Sequence, residues 1–181
     1  TAFHTARTAT QAKAQADKLR SERPPSAEQA TFIDAVCATA DVDGAEKRLF
    51  FLQASAGTGK THCLAIVTNE LRGRGLQVRA MATSGIAAAN LPRPSSTVHS
   101  ACKVPLAVAK MKVPRCDVDG ARRTVERRSL YEADVLIWDE ACMAHVKMAA
   151  AIDRSCREAA LPKSCGGLGP EYGDMLMQGI Q

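Results

Sequence analysis

A lysine, a threonine and two adjacent carboxylates are the side chains in this sequence on which phosphate chemistry could be built. Lys60 and Thr61 close the stretch "ASAGTGKT", residues 54–61. It fits the pattern G-x-x-x-x-G-K-[ST] at Gly59, Lys60 and Thr61, with Ala54 where the first glycine stands. Backbone N–H groups of such a loop cradle phosphates at a helix N-terminus. That makes Ala56, Gly57, Thr58, Gly59, Lys60 and Thr61 candidate nucleotide contacts. Gly57 and Gly59 allow the tight backbone path, Lys60 reaches the β- and γ-phosphates, and Thr61 holds Mg²⁺. Ala54 costs little where φ is negative and more where it is positive, so it bears on affinity rather than on fold. The carboxylates lie in "VLIWDEA", where Asp139 and Glu140 follow an apolar run. Asp139 can hold Mg²⁺ through water, in line with Thr61, and Glu140 can polarise a water for attack on the γ-phosphate. Either motif alone is a weak signal. Together they read as an ATPase with ATP and Mg²⁺ as its ligands.

The elements around these residues suit the task. "LFFLQ", residues 49–53, reads as a strand buried on both faces that feeds the glycine-rich loop. "KTHCLAIVTNELR" continues from the loop as a helix that "GRG" ends. Upstream, Ser26 caps a helix in which Ala30, Ile33, Cys37 and Ala40 recur at helical spacing. Downstream, "LQVRAMAT" is a second strand, "SGIAAANL" a short helix or loop, and "LPRPSST" is expected to be irregular. "ARRTVERRSLYEA" is a basic helix candidate with a solvated face, "DVLIWDE" a third strand, and "CMAHVKMAAAIDRSCREA" a further helix. The alternation of strands and helices implies an α/β domain with a parallel sheet, its acids at the edge where such sheets bind ligands.

Composition narrows the class. The chain has 181 residues, which suits one domain, and 46% of them are hydrophobic but only 4% aromatic. No apolar run approaches the roughly 18 residues of a membrane span. The seven cysteines contain no C-x-x-C, so they read as reduced, mostly buried residues of an intracellular protein. The net charge of +5 is compatible with a polyanionic partner.

With both motifs placed, the sequence resembles the PIF-one-like DNA helicases of superfamily one, close to the branch with rolling-circle-transposon helicase domains. The words that carry the resemblance are "SAEQATFIDAV", "AGTGKT", "VRAMATSGIAAANL", "STVHS", "KVPL", "LIWDEACMAH" and "AIDRSCRE", in the family's order over residues 26 to about 160. The resemblance implies the first RecA-like motor domain of an ATP-driven helicase moving 5′ to 3′ on single-stranded DNA, with work in DNA repair, recombination or telomere maintenance. It makes Lys60 and Thr61 the Walker A pair and Asp139 and Glu140 the Walker B pair, with Lys60, Asp139 and Glu140 catalytic and Thr61 and Asp139 at the metal. It makes Gln29 the residue that recognises adenine. It puts Thr83 and Ser84, and Thr97 and His99, against DNA phosphates.

The resemblance decays after Leu161, where Gly173-Asp174 and Gln178 are remnants of a γ-phosphate-sensing box at the wrong spacing, and Cys142 replaces the branch's usual proline. The expected organisation is a polar tail or lead-in helix at 1–22 and one RecA-like domain at 23–181, incomplete at its C-terminus. A second RecA-like domain, with the arginines that complete the ATP site, is the implied partner, and 1–181 alone is expected to be inactive as a motor. The expected compartment is the nucleus, with the mitochondrion second. Two other readings stay open at this level: a degenerate nucleotide-binding or inert fragment, and a single-stranded DNA binding module.

Overall fold

The computed structural model describes residues 2–40, 49–116 and 133–160. The helices are α1 (Ala2–Glu22), α2 (Ala27–Ala40), α3 (Lys60–Gly73), α4 (Gly85–Asn90), α5 (Val98–Cys102) and α6 (Val146–Ala160). The strands are β1 (Val78–Ala82), β2 (Ser95–Thr97) and β3 (Val135–Asp139), with 3-10 turns at Val108–Lys110 and Ala141–Met143. The strands pair in the order β2-β1-β3, all parallel, and Ala82 lies level with both Thr97 and Asp139. This register brings the C-terminal ends of all three strands to one edge, so the residues just after them are neighbours in space.

Strand alternation assigns the two faces. Val78 and Ala80 on β1 and Ile137 on β3 face α2, α3 and α4, where Ile33, Cys37, Cys63, Ile66 and Leu71 are buried. Met81, Leu136 and Trp138 face the opposite way, onto Val98 and Cys102 of α5 and Met148 and Ile152 of α6. Helices therefore cover both faces, as the parallel α/β reading requires. α1 is a helix packed on α3. Ala16 is buried, Arg20 pairs with Glu70 at 3.1 Å, and a Cβ on Gly73 would meet the Lys13 backbone at 3.2 Å. α3 ends where Gly75 turns left-handed, with Leu76 N–H donating to Leu71 O and Gly75 N–H to Arg72 O.

Two expectations about strands are corrected. Residues 49–53 are in no strand, and Leu49 and Phe51 are 81% and 71% exposed. Leu52 packs against the α2–α3 core, and Phe50, itself exposed, meets Phe32 edge-on. An apolar run signals a tendency to be buried, but a strand also needs a backbone neighbour, and this segment pairs with none of the described strands. Conversely, "LPRPSST" is not irregular throughout, because Ser95–Thr97 is the edge strand β2. Its prolines precede the pairing, and their carbonyls are satisfied from outside the sheet. The Arg72 guanidinium donates through Nη1 to Pro92 O and Arg93 O, and through Nη2 to Val78 O and Pro94 O, at 2.8–3.1 Å. Burial lowers the pKa of Arg72, and the cation is kept there by these carbonyls. The basic helix candidate at 121–133 falls almost wholly outside the described residues, and Cys165 and the remnant box near Gly173 do so entirely.

No disulfide joins the described cysteines. Cys37, Cys63, Cys102 and Cys116 are buried and Cys142 is exposed. Burial pushes the Cys102 thiol from its ordinary 9.0 up to about 12, with Cys116 and Cys156 adding to the rise and Arg79 opposing it. Peptide mapping after alkylation at mildly alkaline pH should therefore find Cys142 modified in the folded chain and Cys102 only after unfolding. The folded state favours the neutral Cys102 thiol. Its stabilising effect is whole below pH 9 and is lost as pH rises toward about 12.

Candidate functional site

The loop at 54–61 turns on two left-handed glycines, Gly57 (φ 77°) and Gly59 (φ 88°). Gly59 is required twice over, since a Cβ there would also sit 3.1 Å from Gln29 Nε2 and 3.7 Å from Arg23 Nη2. Ala54 is not left-handed, so the alanine introduces no backbone strain. Lys60 Nζ donates to Ala54 O at 2.6 Å and Ser55 O at 2.7 Å, folding the ammonium across the loop's own carbonyls. Thr58 Oγ1 donates to Ser55 O at 2.8 Å.

Gln29 braces this loop. Ser26 N–H donates to Gln29 Oε1 at 2.9 Å and Gln29 N–H to Ser26 Oγ at 3.3 Å, a capping box at the start of α2. Gln29 Nε2 then donates to Thr58 O at 2.8 Å. One N–H and one lone pair of the amide remain for a base. His62, the third residue of α3, contacts Arg23 O through Nε2 at 2.9 Å. Arg23 thus has its backbone tied to α3 and its guanidinium beside Gly59. The sequence motifs gave no sign of this cation at the rim of the loop.

Across the sheet edge, Thr61 Oγ1 donates to Asp139 Oδ2 at 2.9 Å, although the two are far apart in sequence. Asp139 is buried, and its Oδ1 accepts from Glu140 N–H at 2.9 Å. Glu140 is left-handed (φ 56°), a conformation that costs an ordinary residue roughly 1–2 kcal/mol. The surroundings enforce it. Trp138 Nε1 donates to Thr83 Oγ1 at 2.9 Å, Thr83 Oγ1 to Glu140 O at 2.7 Å, and Ser84 Oγ to Glu140 Oε2 at 2.8 Å. The hydroxyl of Thr83 is thereby engaged in holding β3 to β1.

Of the residues expected at DNA, Ser84 caps α4 by accepting from Ala87 N–H, and Thr97 caps α5 by accepting from Ser100 N–H. His99 Nδ1 lies 2.9 Å from Val104 O and therefore carries the proton there. Thr97 and Gly85 line one shallow groove with Ala89, Arg93 and Ser96.

A family model described as PIF1-like helicase matches residues 25–169. The chain belongs to the PIF1-like helicase family. Among similar proteins, the ATP-dependent DNA helicase PIF3 of Trypanosoma brucei brucei is 31% identical over 119 residues, 65% of this chain and 13% of that protein. The ATP-dependent DNA helicase Pif1 of a Psychrobacter species is 36% identical over 97 residues, 54% of this chain and 14% of that protein. The chain thus matches a small part of each relative.

For a PIF1-like helicase domain the arrangement is chemically suited to a metal nucleotide. No cluster of three or more His, Cys, Asp or Glu occurs among the described residues. Mg²⁺ needs none, because it keeps several waters and takes one or two protein oxygens plus phosphate. Thr61 Oγ1 and Asp139 Oδ2 are already convergent for that. No described helix is long and apolar enough to cross a membrane.

Proposed function

We propose that the chain is the first motor domain of an ATP-dependent DNA helicase that moves 5′ to 3′ on single-stranded DNA. The observation that carries this reading is the 2.9 Å meeting of Thr61 with Asp139, which joins the glycine-rich loop to the acidic strand end at one sheet edge. In this reading the backbone N–H groups of residues 56–61 hold the phosphates. Lys60 leaves the Ala54 and Ser55 carbonyls for the β- and γ-phosphates. Mg²⁺, when bound with the nucleotide, neutralises phosphate charge beside Thr61 and Asp139. Gln29 reads the adenine with its free N–H and lone pair, and Glu140 orients the attacking water. DNA phosphates run along the groove by Ser84, Arg93 and Thr97, near His99. A second RecA-like domain supplies the other half of the ATP site and of the DNA grip. The setting is DNA repair, recombination or telomere maintenance, in the nucleus or the mitochondrion.

The deciding test is calorimetry of Mg-ATP binding to the parent chain and to Lys60→Ala. The variant should lose a charge-assisted phosphate contact of roughly 1.5–3 kcal/mol, about ten- to a hundredfold in affinity. Equal affinity for the two proteins would sink the reading.

A further inference from the structure

We propose that Ser84 is a positioning residue that holds the Glu140 carboxylate at rest and releases it when its hydroxyl turns to a DNA phosphate, so that DNA occupancy sets the readiness of the ATP site. This inference rests on the function proposed above and deepens it.

A serine hydroxyl has one proton to donate. In Ser84 that proton goes to Glu140 Oε2 at 2.8 Å, while a lone pair of the same oxygen accepts from Ala87 N–H at 3.2 Å. The cap fixes the oxygen in place at the start of α4, so only the direction of the proton is free to change. It points at Glu140 or at some third acceptor, never at both. Ser84 is followed directly by Gly85, where the groove toward Arg93 and Thr97 begins. A phosphate oxygen seated at the Gly85 end of that groove, next to Ser84, would compete for the proton that Ser84 now gives to Glu140.

The consequence for Glu140 is confined to its side chain. Its backbone is clamped independently, through N–H to Asp139 Oδ1 and through O to Thr83 Oγ1, itself fixed by Trp138. Ser84 is the carboxylate's hydrogen-bond partner among the described residues. Loss of that one bond frees the carboxylate to turn toward a water at the γ-phosphate and leaves the strand ends in register. The two acceptors exclude each other, so the coupling is reciprocal. DNA weakens the hold on Glu140, and Glu140 weakens the hold on DNA.

A double-mutant cycle on the chain of residues 1–181 tests this, with fluorescein-labelled oligo(dT) as the probe and anisotropy as the readout. Glu140→Ala should tighten oligo(dT) binding several-fold, and the gain should vanish in the Ser84→Ala background. Ser84→Thr keeps a hydroxyl and should keep the coupling. In chain labelled with ¹³C at its glutamate carboxyls, the Glu140 signal, assigned by its absence in Glu140→Gln, should move on adding oligo(dT). It should move toward its position in DNA-free Ser84→Ala, where DNA should no longer shift it. An equal gain from Glu140→Ala in both backgrounds would mean simple charge repulsion and would overturn the proposal, as would loss of coupling in Ser84→Thr. Absence of any oligo(dT) binding by the parent would overturn the DNA reading and this inference together. Binding without coupling overturns the inference alone.

Discussion

Glu140→Gln is expected to slow ATP hydrolysis by about 10²–10⁴-fold, the usual contribution of a positioned acid or base, while Mg-ATP affinity is unchanged. The amide has the shape of the carboxylate, and its oxygen can still accept from Ser84 Oγ. The backbone bonds of Glu140 to Asp139 and Thr83 do not involve the side chain, so the left-handed turn persists at the same cost. Only the ability to take a proton from water is removed. Single-turnover hydrolysis by the chain joined to its second RecA-like domain, with protein in excess over labelled ATP, gives the rate, and calorimetry gives the affinity. A variant that hydrolyses ATP at the parent rate takes Glu140 out of the mechanism.

Arg72→Met is expected to cost about 3 kcal/mol of stability. Methionine fills much of the stem's volume but donates nothing. Two of the four carbonyls that lose their donor, Pro92 O and Val78 O, are partly buried, and each forfeits a charge-assisted bond of about 1.5 kcal/mol. The other two, Arg93 O and Pro94 O, are exposed and recover water. Arg72→Lys should recover only part of the loss, because an ammonium cannot span both sides of the turn as the guanidinium fork does. Urea unfolding followed through Trp138, the single tryptophan, measures this. A change within about 0.5 kcal/mol, as at an ordinary surface site, would show that the turn at 92–94 holds without Arg72. The same variant should loosen β2 and with it the placement of Thr97 and His99, since the residues before Ser95 are those that Arg72 anchors.

The glycine-rich loop, the acids at the end of β3 and the elements carrying them were legible because each rests on a local pattern. Helical spacing marks α2 at Ile33 and Cys37, and β3 is a short apolar run ending in acids. Gly57 and Gly59 stand where the backbone turns left-handed, and Ser26 with Gln29 is a capping box written in four residues. The parallel α/β class followed from the order of such elements. Residues 49–53 and 95–97 were read in reverse, the apolar run as a strand and the proline-flanked serines as a loop. Pairing depends on which backbone lies alongside, and the hydropathy of a segment carries no record of its neighbour. Arg72, and the bond of Ser84 to Glu140, were hidden for a related reason. Their roles are hydrogen bonds to carbonyls some twenty residues away and to a carboxylate on another strand, and these form only when β1 lies beside β2 and β3. Local chain stiffness and side-chain period are properties of a few consecutive residues, whereas the convergence of Thr61, Ser84, Asp139 and Glu140 at one edge is a property of the sheet's register.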